Sequence, residues 1–423
     1  MSRRIGIWAA FVVVHAVLAW ICLGLPGTGI GDYAIGLPLG DVTLVYRPWI
    51  EQALSGGPIV GITESWVYPA LAIVPMLAAM GLGPDLYGQL WLALVTVFNA
   101  AAFAVLLGSG ASRRRELAAW WWLAFTALLG PIALARIDSI TVPIAVVALL
   151  LVARHPTVGG VLLAVATWMK VWPAALIGAL LVSSRQRIAI LLAGAVTSAI
   201  IAAAVFVLGG GQHLFGFVTE QTGRGLQIEA PVSTPYLWLA SAASPGSFVY
   251  YDQRILTFQV SGPGVGTAIA LMTPLLALAV AGTVLAGILA TRRGASLVRL
   301  FPSLALALVL VLIVFNKVGS PQFQVWLIAP VIIGIVHRGR RFAWPAGLAL
   351  ALAALTQMFY PYLYGALLTA APAMVFVLTL RNVGLLVLLG WALADVWRAG
   401  TRAAQSSPSA ASSRSTLAVS SPE

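Results

Sequence analysis

Apolar runs of about 18 residues or more recur along this chain of 423 residues, each long enough to cross roughly 30 Å of hydrocarbon as a helix. Nothing else constrains the fold so strongly. Inside a bilayer every backbone N–H and C=O must find its partner within the protein, so segments of this length are read as helices. The composition agrees: 61% hydrophobic and 9% charged residues exclude a soluble domain. The expected fold is all-α, a polytopic transmembrane helical bundle of about 10–12 embedded helices with exoplasmic loops and re-entrant or interfacial helices. Residues 1–398 are read as one transmembrane domain. Residues 399–423, rich in Ser, Ala and Pro, are read as a disordered cytoplasmic tail.

The 24 Lys and Arg outnumber the 12 Asp and Glu, leaving a net charge of +12. A nucleic-acid partner is not expected, because the basic residues sit in short clusters between apolar runs. The clusters are Arg113, Arg114 and Arg115; Arg154; Arg185 and Arg187; Arg292, Arg293 and Arg299; Arg338, Arg340 and Arg341; Arg398 and Arg402. That is the positive-inside pattern, which places each cluster in the cytoplasm. The first apolar run is long for a secretory signal and lacks an A-x-A cleavage site, so a retained anchor with a cytoplasmic N-terminus is expected.

Residues 38–69 are then exoplasmic. Full crossings are expected over 6–25, 87–107, 117–133, 140–152, 188–208, 265–290, 300–315, 323–336, 342–359 and 383–397. Residues 66–82 are short and interrupted by Pro69 and Pro75, and read as re-entrant. Residues 159–169 and 173–182 form a broken hairpin with Lys170 at its tip, and 361–380 read as interfacial.

Under this topology the acids collect outside: Asp32, Asp41, Glu51, Glu64, Asp85, Asp138, Glu220, Glu229 and Asp252. Carboxylates contribute little to orientation, so chemistry on the exoplasmic side is expected. Both lysines, Lys170 and Lys317, also stand at outer tips, whereas the cytoplasmic clusters use arginine alone. A lysine near hydrocarbon costs a few kcal/mol unless paired or snorkelling. The plain reading is a snorkelling helix end; the functional one is capture of a lipid phosphate by a compact ammonium.

The segment EQTGRGLQIEAP holds Glu220, Arg224, Gln227 and Glu229, suited to phosphate and sugar hydroxyls or, more plainly, to a salt-bridged loop. Arg136 and Asp138 read as a structural ion pair. Trp49 and Trp66 suit either sugar stacking or the interfacial belt. The histidines lack metal-like partners, and no HExxH, P-loop or GxSxG is present. A single cysteine, Cys22, excludes an intramolecular disulfide framework.

Three segments in order carry a resemblance. Asp41-Val-Thr-Leu-Val-Tyr46 followed by Val67-Tyr68-Pro69-Ala70 resembles the first exoplasmic loop of glycosyltransferase family 87, of the GT-C superfamily. Trp168-Met-Lys170-Val-Trp-Pro173 is similar to that family's Lys-x-x-Pro turn. Asn316-Lys-Val-Gly-Ser-Pro-Gln322 with Trp326 resembles its N-K-x-x-S-P-Q segment. Ala135-Arg136-Ile-Asp138 stands where the family often has Gly-Gln-x-Asn. The likeness runs from about residue 5 to 398.

The resemblance implies an actinobacterial polyprenyl-phosphate-mannose-dependent α-mannosyltransferase in the plasma membrane. Sugar would pass with inversion from a polyprenyl-phosphate-linked donor to a hydroxyl of a glycolipid or lipoglycan. By residue match Asp41 is the general base, with Glu64 and Asp32 next; Lys170, Lys317 and Arg224 bind donor phosphate; Tyr46, Tyr68, Glu229 and Gln322 contact sugar or acceptor. GT-C enzymes in general can use a divalent cation, but no paired-carboxylate metal site stands out, and no cofactor is expected. Two other readings are a transferase of another lipid-linked sugar such as arabinose, and a non-enzymatic lipid-linked sugar transporter or flippase. A transporter would carry ionisable residues near the midplane of broken helices in repeated halves, and no repeat is visible.

Overall fold

The computed structural model describes residues 2–24 and 37–405. Asp32 and residues 406–423 lie outside the described residues.

The chain opens with α1 (Ser2–Leu23). The segment 38–69 holds a π turn, Val42–Tyr46, running directly into α2 (Arg47–Leu54). Pro69 then sets an extended residue, and only two short pieces follow, a 3-10 turn at Ala70–Ala72 and α3 (Ile73–Ala78). Neither is long enough to cross a bilayer. α4 (Tyr87–Leu107) and α5 (Arg113–Leu129) are full-length, and α6 (Asp138–Leu151) returns. The expected broken hairpin is α7 (Pro156–Met169) and α8 (Ala174–Ser183), with Lys170 extended at the break because Pro173 cannot continue a helix from α7. Next come α9 (Arg187–Val207), α10 (Gly216–Thr222) and α11 (Thr234–Ser241).

An antiparallel hairpin of β1 (Phe248–Asp252) and β2 (Thr257–Ser261) follows, which the all-helical reading did not anticipate. The bundle closes with α12 (Val265–Arg292), α13 (Leu297–Val314), α14 (Ile328–Arg338), α15 (Ala343–Phe359), the short α16 (Tyr364–Leu368) and α17 (Pro372–Gln405). Among the described residues eight helical segments are long and apolar enough to span a membrane. The protein is a polytopic all-α membrane protein.

Two expectations near the C-terminus need correction. Residues 361–380 and 383–397 are not an interfacial piece and a separate span: α17 is continuous from Pro372, and the break falls before it. Arg381 and Asn382, which fall between those two ranges, are buried inside the continuous helix, and each donates one hydrogen bond to the chain opposite. Arg381 donates to the Glu229 carbonyl at 3.0 Å, and Asn382 to Thr234 Oγ1 at 2.8 Å. The helix also runs past residue 398 to Gln405, since Arg, Ala and Gln are strong helix formers.

α13 is apolar all round and enclosed from Leu300 to Val311, as a central helix must be. α9 and α12 are equally apolar yet exposed, with Phe206, Val207 and Leu278 on the outside; that inversion of a soluble surface suits lipid. α7 and α9 touch backbone to backbone: a Cβ on Gly160 would lie 2.8 Å from the Ile190 carbonyl oxygen.

The helix termini sort the charges. At one end Arg4 donates to the carbonyls of Leu107, Gly108 and Gly110, Arg114 to that of His337, and Arg338 pairs with Asp395. The Arg clusters of α5, α13, α14 and α17 therefore meet at this end. The acidic loop, the α7–α8 break, the 225–230 segment and the α13–α14 connection meet at the other.

Candidate active site

Asp41 immediately precedes the π turn, a distortion frequent at functional positions. Its carboxylate lies 2.9 Å from Arg136 Nε and is 37% exposed, while the arginine side chain is 6% exposed. The Nε–H is not aligned as a hydrogen bond, so the contact is an ion pair by distance. Arg136 is held independently. It donates to the carbonyls of Pro38 and Ala135 and, at 3.0 Å, to the Tyr360 hydroxyl. Five-donor, fork-shaped chemistry of this kind is what arginine supplies.

Arg136 and Asp138 do not pair with each other. Asp138, fully buried at the start of α6, accepts from Trp326 Nε1 at 2.6 Å and faces Lys170 Nζ at 3.8 Å. Trp172 stacks on Trp326 with ring centroids 5.8 Å apart and donates to Thr141. The two tryptophans of the Lys-x-x-Pro and N-K-x-x-S-P-Q segments thus brace one carboxylate. Lys170 also sits 4.4 Å above the Tyr68 ring, a cation–π contact worth about 0.5–2 kcal/mol. Tyr68 OH is 3.3 Å from Tyr46 OH, and Tyr46 is wholly buried. One chain of contacts therefore runs from Lys170 through Tyr68 to Tyr46.

The segment 225–230, expected as an outer loop, is packed inside. Leu226, Ile228 and Ala230 are buried, and its backbone bonds both to β2 and to the Asn316–Gln322 segment, with Gln227 N–H donating to the Lys317 carbonyl at 3.0 Å. Gly319 permits this: a Cβ there would stand 2.2 Å from Ala230 N. Arg224 and Lys317 are brought near one another as a result. Burial lowers the Lys317 pKa, and the Arg224 charge lowers it further. Burial also lowers Arg224, offset in part by Tyr68 and Glu220.

Glu229 is 1% exposed and accepts from Tyr364 OH at 2.7 Å. Burial raises its pKa, against that hydrogen bond. It is enclosed by protein, where a sugar contact was expected. Gln322 is buried beside Phe323, whose ring faces Lys170. Glu64 lies in a tight turn in which Gly61 N–H bonds its carbonyl, and none of the described ion pairs reaches it. Glu51 pairs with Arg47 one helical turn away. Among the described residues no three His, Cys, Asp or Glu side chains gather as metal ligands do.

Asp41, Tyr68, Lys170 and Arg224 therefore keep surface open to solvent within a cluster otherwise walled by aromatic rings and buried polar groups. Arg136, Asp138, Tyr360 and Tyr364 complete the cluster and were not singled out as site residues. The two tyrosines gave no signal beyond an aromatic run, FYPYLY.

Fold and site together define a polytopic membrane protein with a carboxylate and several cations converging at one end of its bundle. Residues 66–247 match the model of glycosyltransferase family 87. The matched stretch covers less than half of the chain and supports a likeness to that family of glycosyltransferases. It includes Tyr68, Arg136, Asp138, Lys170, Arg224 and Glu229; Asp41 and Lys317 lie outside it. Comparison with curated proteins gave no match, and comparison with solved structures gave none.

Proposed function

We propose that the protein transfers mannose from a polyprenyl-phosphate-linked donor to a hydroxyl of a glycolipid or lipoglycan, with inversion, on the exoplasmic face of the plasma membrane. The arginine clusters at the opposite end favour that orientation, with both termini in the cytoplasm. The observation that carries the reading is the half-exposed Asp41 carboxylate set in the same cluster as Lys170, Arg224 and Lys317.

Asp41 takes the proton of the acceptor hydroxyl as its oxygen attacks the anomeric carbon. The bond from that carbon to the phosphate oxygen breaks, and its electron pair leaves with polyprenyl phosphate. Lys170, Arg224 and Lys317 stabilise the charge developing on the phosphate, so the reading assigns no role to a metal or cofactor. Arg136 fixes the direction of the Asp41 carboxylate. Asp138 positions Lys170, and Glu229 acts by pinning the 225–230 segment. Tyr46, Tyr68 and Gln322 shape the sugar side.

Purified protein supplied with radiolabelled polyprenyl-phosphate-mannose and a glycolipid acceptor tests the proposal. Asp41→Asn is expected to lower turnover by about two to four orders of magnitude while donor binding persists. Undiminished turnover in that variant overturns Asp41 as base. Labelled product from a polyprenyl-phosphate-arabinose donor alone moves the donor to that sugar.

A further inference from the structure

At the end opposite the candidate active site, Arg114, Val298, Arg299, His337, Arg338 and Arg341 line a cavity of about 360 Å³. They come from the start of α5, the start of α13, the end of α14 and the 3-10 turn Gly339–Phe342 that follows it, so the cavity lies where three helix ends meet. Arg338 is already neutralised: it pairs with Asp395 of α17 and donates to Ser303 Oγ at 2.8 Å. Arg114 donates to the His337 carbonyl at 3.2 Å, a contact that leaves its charge unmatched. None of the described ion pairs involves Arg114, Arg299 or Arg341. Three guanidinium groups without an ion-pair partner among the described residues thus surround one hollow.

Orientation in the membrane requires positive charge at this end, and Arg154, Arg185 and Arg187 supply it from an exposed surface. It does not require a cavity. The hollow is of the size that small ligands occupy, its arginines are the side chains that grip phosphate bidentately, and exposed Val298 forms an apolar wall. Basic pockets between transmembrane helices suit phosphorylated head groups.

We infer that this cavity is a binding site for a phosphate-bearing anion, either an anionic phospholipid head group or a free phosphate or pyrophosphate, separate from the chemistry at the other end.

The full-length protein in detergent is titrated with phosphatidylglycerol or phosphatidylcholine and read by native mass spectrometry. Inorganic phosphate and pyrophosphate are titrated in parallel by calorimetry. Wild type is expected to bind phosphatidylglycerol or one of the free anions, and which arm responds identifies the source. The Arg299→Gln/Arg341→Gln double variant should bind roughly thirtyfold more weakly, about fivefold for each arginine lost near a membrane surface. Both positions are exposed, so the fold should persist, and Arg185→Gln/Arg187→Gln serves as the matched control. Binding to wild type of none of these anions, or equal weakening in both double variants, overturns the site. Sugar transfer is not the readout, so the outcome is independent of the proposed activity.

Discussion

Arg136 is the residue on which Asp41 depends. Removing one partner of a buried ion pair costs about 3–5 kcal/mol, but Asp41 is 37% exposed and water recovers part of that. Arg136→Gln is therefore expected to destabilise by about 2–3 kcal/mol, visible in denaturant unfolding. Arg136→Lys keeps the charge but loses the fork that reaches Pro38, Ala135 and Tyr360, so turnover should fall roughly tenfold with donor affinity unchanged. A lysine variant that turns over like wild type would show that Arg136 does not aim the carboxylate. Lys317 gives a pH signature. Burial and Arg224 lower its pKa from the ordinary 10.5, so it sheds its proton at lower pH than a free lysine. Bound phosphate favours the ammonium, so donor affinity should fall as pH rises through the lowered value. In the empty protein the sign is opposite: between the lowered pKa and 10.5 the unfolded chain binds more protons, and stability rises with pH. Lys317→Arg stays charged and should remove the alkaline loss of donor affinity; the same loss in that variant would assign it to another group.

At the scale of elements, the 225–230 segment and the α13–α14 connection act as one unit because Gly319 lets two backbones meet. Gly319→Ala places a methyl 2.2 Å from Ala230 N and must push them apart. Overpacking of this kind costs about 1–3 kcal/mol, so the bonded amides of Gln227, Ile228 and Ala230 should exchange with solvent roughly one to two orders of magnitude faster. Gly347→Ala on α15, where a Cβ meets nothing within 4 Å, is the control. Unchanged protection in Gly319→Ala would mean that the segment is held by its other contacts, the Glu229–Tyr364 hydrogen bond and the donation of Arg381 to the Glu229 carbonyl.

For the whole molecule, the division of charge between two ends makes orientation testable. The native Cys22 is buried and should not react. Ser55, just past α2 at the Asp41 end, and Ser109, between α4 and α5 at the arginine end, are both exposed. In intact cells a membrane-impermeant maleimide is expected to label Ser55→Cys and to spare Ser109→Cys until the membrane is opened. The reverse pattern would put the Asp41 cluster in the cytoplasm and remove the exoplasmic donor from consideration.

Helix identity was legible because membrane insertion is written in one dimension. A run of apolar residues has its length, and a basic cluster its end, whatever lies beside it. That reasoning placed α4 and α9 closely, recognised the broken α7–α8 hairpin and brought Asp41, Lys170, Arg224 and Lys317 to a common end. It could not supply neighbours. Asp138 faces Lys170, and Arg136 faces Asp41, only because the start of α6 meets both the α7–α8 break and the acidic segment. Likewise residues 361–380 and 383–397 read as two segments, whereas Arg381 and Asn382 sit inside one helix because Glu229 and Thr234 opposite each accept a hydrogen bond. Glu229 looked like an open loop carboxylate until Tyr364 closed over it. Sequence pattern by itself determined which segments are long and apolar enough for a bilayer and, for most charges, at which end of the bundle they lie, since these follow from transfer of single segments into hydrocarbon. Tertiary structure alone decided which charges pair, because pairing depends on how helix ends are arranged around the bundle, among residues far apart in the chain.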